Sequence, residues 1–175
     1  MFKLLRFTGI LAVVAIAVSF SLPATCADNN AAKAFQKLKT LAGNWEGTDE
    51  QGNAIKSNFK LVISDTTLME TLSVEGMHEM LTMYSIDNDG IALLHYCPTN
   101  NQPWMRAMVP DGEIKELVFQ FQRAGNLANL DVGHEHRLVL RFEDDDHVVE
   151  RWTWRRNGHD TEMVYRLTRK PAKAQ

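Results

Sequence analysis

From residue 44 onward, apolar and polar positions alternate in short runs, each closed by residues that favour turns. A period of two sends successive side chains to opposite faces, so such runs predict half-buried β-strands. Ten are predicted, near 44–50, 54–63, 67–74, 77–86, 91–97, 103–109, 113–122, 134–143, 147–156 and 159–168. The punctuation is regular: Gln51-Gly52-Asn53, Ser64-Asp65, Glu75-Gly76, Asp87-Asn88-Asp89-Gly90, Pro110-Asp111-Gly112, Asp144-Asp145-Asp146 and Asn157-Gly158. Asn157-Gly158 is the strongest hairpin signal, because a type I′ turn needs positive φ at both central residues. Before these runs, 30–42 has helical spacing. Phe35, Leu38 and Leu41 recur on one face and Lys33, Lys37 and Lys39 on others, with Asn29 or Asn30 as cap and Gly43 as stop.

Ten strands joined mainly by short turns form a meander. A meander of this length avoids exposed edges most simply by closing into an up-and-down antiparallel β-barrel capped by the N-terminal helix. A two-sheet sandwich would use the same alternation. The interior of an eight- to ten-stranded barrel holds side chains and one small ligand. The longer segment 123–133 is placed to cover a barrel mouth.

The first 27 residues carry a different pattern. Lys3 and Arg6 precede the apolar run Gly9 to Phe20, and Ser-Leu-Pro-Ala-Thr-Cys-Ala follows. That order is a secretory signal peptide. The run is too short to span a bilayer, and Pro23 ends it. Cleavage after Ala27 leaves a single mature domain, 28–175, in the periplasm or outside the cell, without a transmembrane segment. A lipoprotein signal would put Leu three places before Cys26, where Pro23 stands, so lipidation of Cys26 is the lesser reading. Cys97 then remains as the only cysteine, and no intramolecular disulfide forms.

Composition narrows the classes further. The 175 residues include 19 Lys+Arg and 22 Asp+Glu; losing Lys3 and Arg6 with the signal leaves 17 basic against 22 acidic residues, a charge of −5. A strongly basic nucleic-acid binder is excluded, and the mild cluster Arg151, Arg155, Arg156, Arg166 and Arg169 is diluted by Glu150, Asp160 and Glu162. With 45% apolar residues a packed core is expected.

Gly43-Asn44-Trp45 puts a Gly-x-Trp at the helix-to-strand junction, which resembles the opening signature of lipocalin-like barrels. Met80-Leu81-Thr82-Met83-Tyr84, followed by Leu94-His95-Tyr96-Cys97-Pro98-Thr99-Asn100-Asn101-Gln102-Pro103, looks like the central block of a bacterial family of lipocalin-like, calycin-type barrels. That family has no agreed activity and is distantly similar to fatty-acid-binding proteins and nitrobindins. The resemblance spans most of 35–169. It implies the barrel and, by likeness to fatty-acid carriers, an inward arginine for a ligand carboxylate, with Arg166 the candidate. The short glycine-rich segment of haem-binding nitrobindins is not matched.

Alternation also proposes site residues. In 134–143, His134 and His136 share a face with Leu138, Leu140 and Phe142; in 91–97, His95 and Cys97 share one with Ile91 and Leu93. If both faces point inward, His95, Cys97, His134, His136 and Trp154 line one cavity, because a dry core rarely accepts several unpartnered imidazoles. In the loop 98–103, Asn101 and Gln102 could fix a ligand's polar end while Met105 covers its apolar part. Trp152 and Trp154 share a face with Val148 and Glu150. The leading expectation is therefore a non-catalytic barrel that binds a small, mostly apolar or amphipathic molecule and needs no cofactor. The alternative is a metal- or haem-dependent redox protein or enzyme using His95, Cys97, His134 and His136, since His and Cys are common metal ligands. A third class is an envelope interaction protein with a filled barrel.

Overall fold

The computed structural model describes residues 30–171. The signal segment 1–27, Cys26 and the cap candidate Asn29 lie outside the described residues. Helix α1 (Asn30–Lys39) is followed by ten strands: β1 (Gly43–Thr48), β2 (Ala54–Val62), β3 (Thr67–Val74), β4 (Met80–Asp87), β5 (Gly90–Tyr96), β6 (Gln102–Met108), β7 (Glu116–Gly125), β8 (His134–Phe142), β9 (His147–Arg156) and β10 (His159–Arg169). Each strand pairs antiparallel with its chain neighbours, and β1 pairs with β10 from Trp45↔Arg169 to Thr48↔Arg166, which closes the barrel. The sandwich is thereby replaced by a single closed sheet.

The turns explain why the meander takes this register. Asn157 and Gly158 both have positive φ, 50° and 72°, the type I′ pair that matches the strand twist. Gly76 at φ 79° lets Met77 N–H return to Val74 O, so β4 starts at Met80 rather than at 77. At the closing seam, a Cβ on Gly47 would lie 1.8 Å from the Arg166 carbonyl oxygen, so only glycine allows β1 to approach β10 there.

The helix ends at Lys39, earlier than its periodicity suggests. Thr40, Leu41 and Ala42 tighten into turns bonded to the carbonyls of Lys37, Leu38 and Lys39, and Leu41 still reaches the core. α1 closes one end of the barrel: Ala34, Phe35 and Leu38 are buried, and Trp45 Nε1 donates to Leu41 O at 2.7 Å. Arg169 fastens this end. Its guanidinium donates to the carbonyls of Thr40 and Ala42 and stacks 4.3 Å from the Trp45 ring centroid. Basic groups at a helix C-terminus satisfy its free carbonyls.

Inside, the barrel is largely filled. Trp45, Phe59, Leu68, Leu72, Tyr84, Ile91, Leu93, Met105, Phe119, Leu138, Leu140 and Trp152 are buried on the inner face. Full burial of side chains of this size contributes roughly 1.5–3 kcal/mol each. The end away from the helix is open.

Candidate functional site

The open end holds an apolar pocket of about 320 Å³. Its wall is built by Met80 at the start of β4, Cys97 just past β5, Trp154 near the end of β9 and Met163 on β10, with Met77, Pro98, Thr99 and Thr161 at the rim. Into this wall comes one acid, Glu135 of β8. Other hollows on the surface are larger, including one of about 610 Å³ outside β1 and β2. Its walls are outward-facing polar side chains that already pair with one another, Asn58 Nδ2 donating to Asn44 Oδ1 at 2.7 Å and Lys170 Nζ lying 2.9 Å from Glu46 Oε2. The mouth pocket has the apolar lining and single polar group expected of a small-molecule site, and its volume falls at the lower end of that class.

Glu135 owes its position to a β-bulge. The β8–β9 register reads His134↔Arg155 and Glu135↔Trp154, then skips His136 to resume at Arg137↔Thr153 and Leu138↔Trp152. Directly paired residues project to the same face. Glu135 therefore shares the inner side with Trp154 and Leu138, and the extra residue is His136. The Glu135 side chain is 5% exposed and its Oε2 has no hydrogen-bond partner among the described residues. Burial pushes its carboxyl up to about 8, so it is mostly a neutral acid at pH 7.

Below the pocket the interior turns polar. Glu70 accepts from Ser57 Oγ at 2.7 Å and from Tyr84 Oη at 2.9 Å, and Glu150 accepts from Trp152 Nε1 at 2.9 Å. Both acids are fully buried, and they face each other. Burial and the neighbouring Glu70 hold the Glu150 carboxyl well above the usual range. Burial raises the Glu70 carboxyl as well, and Glu150 Oε1 has no hydrogen-bond partner among the described residues. His95, 1% exposed, bonds Thr82 Oγ1 through Nδ1 at 3.0 Å and packs 4.9 Å from Trp152 between ring centroids. Burial lowers its imidazole to about 4, which keeps it neutral, and its Nε2 has no partner among the described residues.

The residues expected from sequence are thus dispersed. Cys97 and Trp154 line the mouth pocket, with Thr99 Oγ1 donating to Cys97 Sγ at 3.0 Å. His95 faces inward but lies in the filled interior beside Thr82 and Trp152. Met105 is wholly buried in the core and does not border the pocket. Asn101 is buried and donates from Nδ2 to Gly133 O at 2.9 Å, clasping the loop after β5 to the loop before β8. Gln102 is half-buried, and its amide turns to Asn100 O at 3.3 Å. Arg166 is exposed on the outer sheet face, lining a groove with Arg137, Arg141 and Arg151; Tyr165 and Leu167 on either side point inward. An inward arginine for a ligand carboxylate is therefore absent at this position.

His134 and His136 do not line the cavity either. The bulge breaks the alternation that joins them to Leu138. They form a chain of hydrogen bonds instead: Arg155 Nη1 donates to His136 Nε2 at 2.7 Å, His136 Nδ1 donates to His134 Nε2 at 3.2 Å, and His134 Nδ1 donates to Val132 O at 2.7 Å. Because Arg155 is always a donor, this order fixes both tautomers with neutral rings. Desolvation and then Arg155 lower the His136 imidazole, in the same sense. The pair pins the 126–133 loop. Read as metal ligands, His95, Cys97, His134 and His136 stand in three separate places, and among the described residues no group of three or more His, Cys, Asp or Glu is gathered for a metal.

Glu135, Glu70, Met77, Met80 and Met163 were not singled out by sequence. Glu70 alternates with Leu68 and Leu72, and Met80 with Thr82 and Tyr84, so their faces were readable; nothing local announces the bulge that turns Glu135 inward.

No family model matches the chain, and no curated protein matches it. Among solved structures, one similar chain belongs to the "Structure of EF1p2_mFAP2b bound to DFHBI", at 9% identity and a TM-score of 0.38, covering 78% of this chain and 98% of that one.

Proposed function

We propose that this protein is an exported, lipocalin-like barrel whose mature domain, 28–175, holds a small and mostly apolar molecule at its mouth without chemical change. The observation that carries the reading is the 320 Å³ pocket at the open end, walled by thioethers and an indole around one unpartnered carboxyl. Export rests on the charged, apolar and small-residue order of 1–27. Cys97 gives a direct test, since its side chain borders the pocket. Nile red, an uncharged apolar dye, is expected to bind at one site with micromolar affinity and to be lost once N-ethylmaleimide has alkylated Cys97. Saturable binding that survives alkylation would place the dye elsewhere and refute the site.

The filled interior favours a second reading, an envelope interaction protein whose barrel is only a scaffold. It predicts no saturable dye binding at any concentration below the dye's solubility limit.

A further inference from the structure

Building on the mouth pocket as a ligand site, we infer that its ligand is an organic cation, a positively charged nitrogen on an apolar tail, with Glu135 as the counter-ion. Three features of the lining point the same way. Among the described residues no lysine or arginine borders the pocket, and the arginine that could have met an anion, Arg166, is on the outer face. The one acid or base that does border it among the described residues is a carboxyl, Glu135, 5% exposed and with no hydrogen-bond partner for Oε2. A buried carboxyl left without a partner is costly to ionise, so the site is poised for a ligand that brings a compensating positive charge. The rest of the wall is of residue types that suit a cation: the Trp154 indole and the sulfur-bearing Met80, Met163 and Cys97. Once Glu135 is ionised, above its midpoint of about 8, a carboxylate ligand would meet like charge in a desolvated site.

An uncharged ligand that merely accepts a hydrogen bond from the protonated acid is the closest competitor, and proton linkage separates the two. A cation needs Glu135 ionised, so its binding strengthens as pH rises through the midpoint of about 8. A neutral acceptor needs the proton and weakens over the same interval. The other titratable groups facing Glu135 are the Cys97 thiol across the pocket and, deeper, the Tyr165 phenol on β10 and the Glu70 and Glu150 pair. Burial, and then the neighbouring Glu135, push the Tyr165 phenol well above its ordinary value, so it does not ionise in this range. On its own strand, His134 and His136 are tied into the chain from Arg155, whose charge is matched by Asp160.

The test is calorimetric titration of the full exported protein with three probes of one tail length, octyltrimethylammonium, octanoate and 1-octanol, at pH 6 and pH 8. The fixed charge of the first makes Glu135 the titrating partner. Its affinity is expected to rise up to about fiftyfold between the two pH values, as expected for freeing a carboxyl with that midpoint, while octanoate gains nothing over the same interval. The rise should persist in Cys97→Ser, which removes the competing thiol, and vanish in Glu135→Gln. If octyltrimethylammonium shows no gain with pH, or octanoate gains as much, the cation is overturned while binding of 1-octanol keeps the pocket. If none of the three binds, the pocket reading falls and the cation with it. Should Glu135→Gln fail to fold, the pH series on wild type and Cys97→Ser decides alone.

Discussion

Replacing Glu135 by glutamine keeps the shape of the side chain and removes its proton equilibrium. In an unfolded chain this carboxyl ionises near 4.5; in the barrel it ionises at about 8. Between these midpoints the native state holds a proton that the unfolded chain has released, so raising the pH favours unfolding. Below pH 4.5 both states are protonated and the ionisation costs nothing. From there the wild type loses about 1.4 kcal/mol per pH unit through this one group, reaching about 4–5 kcal/mol once the pH passes 8. That is comparable to the whole stability of a marginal domain. The glutamine variant has no such slope. The Glu70 and Glu150 pair and His95 also titrate, but they do so in both proteins and cancel in the difference. Urea unfolding at pH 5, 6, 7 and 8 measures it: the variant should draw ahead steadily with pH, its midpoint exceeding wild type by about 2 M at pH 8 for an ordinary urea dependence. A separation that stays constant from pH 5 to 8 would refute the argument, because it would mean that Glu135 ionises as if in water.

The remaining predictions concern packing and loops. Gly133→Ala would set a Cβ 2.2 Å from Trp154 Cζ2, so the indole must move; we expect a loss of about 1–3 kcal/mol by thermal unfolding and weakened Nile red binding, and unchanged dye affinity would show that Trp154 is not part of the wall. Gly47→Ala meets backbone instead, 1.8 Å from Arg166 O, and should prevent closure of β1 on β10, seen as loss of soluble folded protein; a folded variant within about 1 kcal/mol of wild type would contradict the close seam. Tyr84→Phe strips one donor from Glu70 and should cost about 1–3 kcal/mol in urea unfolding without altering dye binding. Substituting His134 and His136 together by leucine breaks the chain from Arg155 to Val132 and should speed proteolysis in the 126–133 loop, with the mouth pocket still binding dye.

The barrel was readable because its information is local: every strand is a period-two run and every hairpin carries its own turn residues, Asn157-Gly158 above all. Strand ends differ by a few residues where a turn consumes them, as Gly76 and Met77 do before β4. The site was less readable because it depends on two things that no local pattern encodes. One is the bulge at His136, which moves Glu135 inward and the histidines out of the alternation. The other is which strand ends meet at the same rim, since Met80, Cys97, Trp154 and Met163 are adjacent only after closure. Arg166 was a different case. Alternation with Tyr165 and Leu167 already turned it outward, and its inward placement came from likeness to fatty-acid carriers rather than from its own strand.

The seam between β1 and β10 has a consequence for how the molecule is made. Every other pairing joins strands that are neighbours in the chain, so each forms as a hairpin on the microsecond scale. The seam joins the first strand to the last and must await the final strand, paying the entropy of the longest loop in the fold. Until then β1 and the most recently formed strand both present open edges, the state in which unfinished sheets recruit other chains. The complete barrel has no such edge, so the hazard is confined to the interval between the making of the first strand and the last.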